Sequence, residues 1–120
     1  MKPLSPLFTD LYELTMAAGY FANGLTAPAT FSLYARPHPK RGFFVAAGLA
    51  PVLDHLTAFG FSDDDLAYLE TSHLFLPEFL DYLRDLAFTG DVRAMDEGTL
   101  FFPDEPILEV TAPMIQAQLL

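Results

Sequence analysis

Two short words in this sequence carry residue types that can do chemistry. "TDLYE", residues 9–13, sets Asp10 and Tyr12 at the head of an apolar segment. A tyrosine ring offers a flat surface on which a planar ligand can stack, and a nearby carboxylate can accept a hydrogen bond from it. "RPHPKR", residues 36–41, gathers three of the six basic residues, Arg36, Lys40 and Arg41, around His38. With 6 Lys and Arg against 16 Asp and Glu, and a net charge of -10, this is the one local positive field in the chain. Arginine binds phosphate or pyrophosphate bidentately. Pro37 and Pro39 keep the segment extended, so its basic side chains can project.

Each word also has a plainer reading. Asp10 followed by Glu13 resembles a capping box with Asp in place of Ser or Thr. Tyr12 at helical spacing would then be core packing, and the residues alone favour that role over ligand contact. The basic word would be a solvated hairpin tip. A third stretch, "SDDDLAYLE", residues 62–70, suggests either a magnesium site or an acidic pair that holds ribose hydroxyls. A helix start explains it better: Ser62 caps, and Asp63, Asp64 and Asp65 fill a first turn that favours negative charge. Hard cations need oxygens that converge in space, and three neighbours in sequence do not provide this by themselves.

The remaining inventory is thin. His38, His55 and His73 show no metal-ligand pairing. "AAGLAP" lacks the glycines and lysine of a phosphate loop, and no nucleophile elbow occurs. There is no Cys, hence no disulfide, thiolate site or cysteine nucleophile. The chain carries no self-sufficient catalytic set and no metal site that its residues reveal.

The elements that must position these residues follow from periodicity. Asp10 to about Phe21 reads as a helix stopped by Asn23-Gly24. Leu11, Leu14, Ala18 and Phe21 form one apolar stripe, and Tyr12, Met16 and Tyr20 a second, roughly 100–150° away. A helix apolar on two sides is buried on two sides. "ATFSLYAR" (29–36) and "FFVAAG" (43–48) read as strands that pair as a long hairpin across the basic loop. Helices are expected over Leu49–Phe59, Asp63–Glu70 and Pro77–Leu86. The period then shortens, with strands in "TGDVRAM", "TLFF" and "PILEVTA", before Pro113 opens a terminal helix. Helix, two strands, three helices, three strands and a helix make an α+β fold.

Composition bounds the function. An acidic surface repels phosphate backbones and anionic lipid, so neither nucleic acid nor membrane is an expected partner. The apolar runs are short of a membrane span, and "MKPLSPL" has no leader pattern, which makes a cytoplasmic protein the expectation. Hydrophobic residues make up 52% of the 120, above the usual share for a domain of this size. "PMIQAQLL" reads as a helix start with no stop. Both features suggest the front piece of something larger.

Taken together, "TDLYELTMAAGYF", "ATFSLYARPHP", "GFFVAAGLAPVLDHL" and "PEFLDYLRDLAFTGDVRAMDEGTLFFPDEPILEVTAPMIQAQL" resemble the amino-terminal part of nicotinate phosphoribosyltransferase. The resemblance runs from about Leu7 to Leu120. It implies a single domain over residues 1–120: the amino-terminal α/β domain of a type II phosphoribosyltransferase, with the barrel domain absent from these residues. Such enzymes form nicotinate mononucleotide from nicotinate and phosphoribosyl pyrophosphate, coupled to ATP hydrolysis, in NAD salvage. The resemblance further implies a homodimer with shared active sites. ATP and Mg2+ are expected only for the full enzyme, with no cofactor on this piece.

Residue by residue, the family's T-D-x-Y word falls on Thr9, Asp10 and Tyr12. The resemblance implies that Tyr12 stacks on the pyridine ring in the neighbouring subunit's site, with Asp10 close by. Arg36 matches an arginine that reaches phosphate groups there. Lys40 and Arg41 have no firm counterpart, and Glu97-Gly98-Thr99 and Glu105-Pro106 match family words read as turn and sheet geometry. Two other functions stay open. One is a non-catalytic dimerisation or ligand-capping module. The other is a sister enzyme acting on nicotinamide or quinolinate.

Overall fold

A computed structural model describes residues 4–120 of the chain. Met1, Lys2 and Pro3, part of the leading stretch discussed above, lie outside the described residues. The elements run α1 (Leu11–Ala22), β1 (Pro28–Tyr34), β2 (Phe44–Val45), α2 (Leu49–Thr57), α3 (Asp63–Thr71), α4 (Pro77–Arg84), β3 (Asp91–Ala94), β4 (Leu100–Phe101), β5 (Pro106–Pro113) and α5 (Met114–Leu119). This is the order expected from periodicity.

The strand pairing differs from that expectation. β1 and β2 do not form a hairpin. β1 pairs antiparallel with β5, β5 pairs antiparallel with β3, and β2 pairs with β4 in a separate two-stranded ribbon. The reason lies in β5, the longest strand, which can be paired along both edges and takes the centre of the sheet. The alternation read in β1 holds. Phe31 and Leu33 share a face with Val110 and Leu108, and Thr30 and Ser32 share the other with Thr111 and Glu109. On that polar face the Thr30 and Thr111 hydroxyls lie 2.8 Å apart, and Ser32 donates to Glu109 at 3.0 Å.

A core forms where α1, α3, α4 and α5 meet. Leu14 and Ala17 of α1 face Leu66 of α3, Phe79 and Leu83 of α4 and Ile115 of α5. Phe79 and Leu83 are fully enclosed. Phe21 packs its ring 5.6 Å from Phe79 and 5.1 Å from Tyr82. Ser62 caps α3 as expected: its hydroxyl accepts from the Asp65 N–H, and the Asp65 carboxylate accepts from the Ser62 N–H at 2.9 Å. Ser5 also donates to Asp65 at 2.7 Å, tying the leading segment to this cap.

The sheet joins this core through a tight junction. A Cβ at Gly90 would sit 2.4 Å from the Thr111 carbonyl and 2.6 Å from the Ala112 Cβ, so only glycine lets the chain enter β3 this close to β5. The buried Gln116 side chain closes the same corner. It accepts from the Thr89 N–H at 2.9 Å and donates to the Thr89 hydroxyl at 3.0 Å.

Much apolar surface remains uncovered. The radius of gyration is 16.1 Å, against roughly 13.6 Å for a compact globule of this length. The β2–β4 ribbon is apolar on both faces. Phe44 and Phe101 stack inward at 5.5 Å, while Phe43, Val45, Leu100 and Phe102 are exposed. Two-stranded ribbons this short hold only when something else supports them.

Candidate functional site

The head of α1 carries Asp10 and Tyr12. A turn built on Ser5 leads into it, with the Phe8 N–H donating to the Ser5 carbonyl at 2.9 Å and Ser5 Oγ accepting from the Leu7 N–H at 3.1 Å. Asp10 occupies the N-cap position with extended backbone, but its side chain makes no cap hydrogen bond. The expected Asp10–Glu13 capping box is therefore absent. Glu13 turns instead toward α5, where its carboxylate accepts from the Gln118 amide. Gln118 in turn accepts from the Tyr20 hydroxyl at 3.1 Å.

This network divides the second stripe of α1. Tyr20 is half-buried against the core, whereas Tyr12 is 56% exposed. Leu11, expected in the inward stripe, is equally exposed, and the inward arc consists of Leu14, Ala17, Ala18 and Phe21. Around Tyr12 the exposed surface continues through Phe8, Leu11 and Met16. The Glu13 carboxylate beside Tyr12, first as an acceptor for its hydroxyl and then as a like charge, raises the phenol's pKa, and burial and Asp10 add to this. The ring stays neutral at physiological pH, which suits it to stacking.

Arg36 stands elsewhere in the fold, on the loop between β1 and β2. Within that loop His38 bridges to Arg41, whose N–H donates to the His38 carbonyl at 3.1 Å. His38 Nδ1 accepts from the Lys40 N–H at 3.2 Å. Arg36, Lys40 and Arg41 are all exposed, and the ion pair found among the described residues is Arg84–Asp81. The loop's three cations therefore have no carboxylate partner among the described residues. Asp10 and Tyr12 share one helix turn, and no hydrogen bond or ion pair joins either to Arg36.

Two features of the site region were not read from sequence. The Glu97 carboxylate accepts from the N–H groups of Gly48 at 2.8 Å and Leu49 at 2.9 Å, where α2 begins. Those two bonds, Leu49 first, lower its pKa. The word Glu97-Gly98 signalled a turn, but nothing in it named a partner 49 residues away. The second feature is a groove of about 980 Å³ between the apolar face of the sheet and α2, lined by Phe31, Leu33, Val52, His55, Ala117 and Leu120 among others. His55 Nδ1 is buried without a hydrogen-bond partner among the described residues. The same residues contain no group of three or more His, Asp or Glu placed to hold a metal ion, and Asp65 is engaged in the α3 cap. Among the described residues no helix is long and apolar enough to cross a membrane.

Comparison with known proteins gives a consistent result. The family model described as nicotinate phosphoribosyltransferase N-terminal domain matches residues 7–120. A nicotinate phosphoribosyltransferase of Mycobacterium tuberculosis is 48% identical over 114 residues, spanning 94% of this chain and 25% of that protein. One from Bacillus subtilis is 42% identical over 116 residues, spanning 95% of this chain and 24% of that protein. The crystal structure of human nicotinic acid phosphoribosyltransferase superposes with a TM-score of 0.81 at 39% identity, covering 92% of this chain and 23% of that one. The chain thus spans about a quarter of the length of the relatives it matches.

Proposed function

Since the chain belongs to the nicotinate phosphoribosyltransferase family, with its match in the amino-terminal domain, we propose that it forms one part of an enzyme that makes nicotinate mononucleotide. The substrates are nicotinate and phosphoribosyl pyrophosphate, the reaction is coupled to ATP hydrolysis, and the setting is NAD salvage in the cytoplasm. The remainder of the polypeptide supplies most of the site. In this reading ATP and Mg2+ belong to that remainder. When bound, they would supply the energy coupling. No step is assigned to them on this domain.

The observation that carries the reading is the exposure of Tyr12 within the apolar surface of Phe8, Leu11 and Met16. A small domain gains by burying such a surface, and about 25 cal/mol per Å2 is at stake. In the proposed arrangement a second subunit covers it. Tyr12 then stacks over the pyridine ring in the neighbour's site, with Asp10 beside it as an acceptor. Arg36, unpaired on its loop, approaches the pyrophosphate.

This division of labour suits the chemistry. Pyrophosphate leaves from C1 of the ribose with oxocarbenium character while the pyridine nitrogen attacks. The protein contributes mainly position and charge. Tyr12 fixes the ring orientation, and Arg36 offsets charge on the leaving group. The test is an assay for nicotinate mononucleotide with the 120-residue chain and the complete polypeptide in parallel. Product from the complete polypeptide alone is expected. A complete polypeptide that binds ligand without turnover would favour the capping-module reading, and turnover of nicotinamide or quinolinate in place of nicotinate would favour a sister enzyme.

A further inference from the structure

The basic loop is held at both of its feet by one distant segment, residues 97–105. At the first foot the Ala35 carbonyl accepts from the Asp104 N–H at 3.4 Å. At the second foot the Ala46 N–H donates to the Thr99 carbonyl and the Ala46 carbonyl accepts from the Gly98 N–H, both at 2.8 Å. Just beyond, the Glu97 carboxylate takes the Gly48 and Leu49 N–H groups. A second carboxylate, Glu105, folds the same segment by accepting from the Phe102 N–H at 2.7 Å.

These contacts matter because the loop has little else to hold it. β2 and β4 are two residues each, too short to be stable as a free ribbon. Gly48 sits at φ +97°, a backbone that glycine adopts without strain and that turns its N–H toward Glu97. Its N–H and that of Leu49 are helix-start donors with no intrahelical partner, and without Glu97 they would turn to water. A carboxylate taking two such donors makes short, charge-assisted bonds that set the direction in which the chain passes from β2 into α2. The Phe44–Phe101 ring stack at 5.5 Å and the two Ala46 backbone bonds hold β2 against β4, and Glu97 adds the side-chain contact that ties this ribbon to the start of α2.

We propose that Glu97 is a positioning residue for the basic loop: by gripping the start of α2 it fixes where Arg36 presents its guanidinium to the pyrophosphate of the substrate. The proposal rests on the reading of Arg36 given above and adds a residue that touches no ligand. Glu97 acts through the two amides, β2 and the loop, so its removal should act on one substrate only.

The test uses the complete polypeptide with Glu97→Gln, Glu97→Ala, Arg36→Ala and the Arg36→Ala/Glu97→Ala pair. Glu97→Ala should raise KM for phosphoribosyl pyrophosphate about three- to tenfold, part of the loss of two charge-assisted bonds. Both kcat and KM for nicotinate should stay nearly unchanged. Glu97→Gln keeps one acceptor and should fall between wild type and Glu97→Ala; it also serves if the alanine variant does not fold. Adding Glu97→Ala to Arg36→Ala should cost little more, since one residue acts through the other. Deuterium uptake of the peptide over residues 35–49, followed by mass spectrometry, should rise in Glu97→Gln whatever the loop binds. Unchanged uptake, an unchanged KM, or equal losses in both substrates would overturn the proposal. If uptake rises and Arg36→Ala leaves KM for phosphoribosyl pyrophosphate unaltered, the fault lies in the pyrophosphate reading, and positioning through Arg36 falls with it.

Discussion

Glu97 and Gly48 meet across 49 residues of chain through a 2.8 Å hydrogen bond from the glycine N–H to the carboxylate. With the matching bond from Leu49, this contact lowers the pKa of Glu97. The sign of its pH dependence follows. A folded-state pKa below the unfolded one contributes stability that is complete above the ordinary glutamate value of about 4.3, and that disappears as pH falls through the folded value. The Gly48 and Leu49 amide resonances should therefore shift together in a single titration with a midpoint below the ordinary glutamate value. A midpoint at or above that value would show that the grip does not form.

Gly90 makes a second, purely structural prediction. Gly90→Ala places a methyl group against backbone at 2.4 Å, which no side-chain rotation relieves. The junction between α4 and β3 must then move, and overpacking of this kind costs about 1–3 kcal/mol. Chemical denaturation should show the loss. Gly19→Ala, in the middle of α1 with open space around its Cβ, should instead gain up to about 1 kcal/mol.

The difference between these two glycines marks what was legible in the sequence. Helices and strands came through because their signals are local: Ser62 caps α3, Pro77 opens α4, and the 3.6-residue and two-residue periods place both kinds of element. Partners did not come through. The alternation in β1 specifies a half-buried strand, but nothing in it chooses β5, about 80 residues on, over β2. The long proline loop made a hairpin look natural, and tertiary pairing decided otherwise. The same holds at the site. Tyr12 and the basic loop stood out by residue type. Asp10 was placed correctly at the N-cap, but its bond partner was not, because Glu13 found Gln118, 105 residues away. Glu97 looked like turn chemistry, since the amides it holds are remote.

Arg36 yields a prediction about charge. Its guanidinium has no carboxylate partner among the described residues, so removing it strands no buried charge in the domain. Arg36→Ala should leave domain stability within about 0.5 kcal/mol. In the complete enzyme it should raise KM for phosphoribosyl pyrophosphate roughly tenfold or more, as expected for a lost bidentate phosphate contact. Arg36→Lys should recover only part of that, because an ammonium cannot reproduce the fork. Full recovery by lysine would mean that general positive charge, rather than geometry, is what the loop supplies.

Tyr12 and Tyr20 stand eight residues apart on one helix and separate stability from function. Tyr20 is half-buried, packs on the core and donates to Gln118 at 3.1 Å. Tyr20→Phe should cost the domain about 1 kcal/mol by leaving that amide acceptor short of a donor, and Tyr20→Ala more, through lost packing. Tyr12 is mostly exposed and holds no such place. Tyr12→Ala should be nearly neutral for the stability of the domain, yet in the complete enzyme it should raise KM for nicotinate by about tenfold, the scale of one lost ring stack. Tyr12→Phe keeps the ring and should retain most of the activity. The two positions therefore predict opposite outcomes in a denaturation series and a nicotinate kinetics series. If Tyr12→Ala unfolded the domain and left nicotinate kinetics intact, the stacking role would be lost, and Tyr12 would belong to the core with Tyr20.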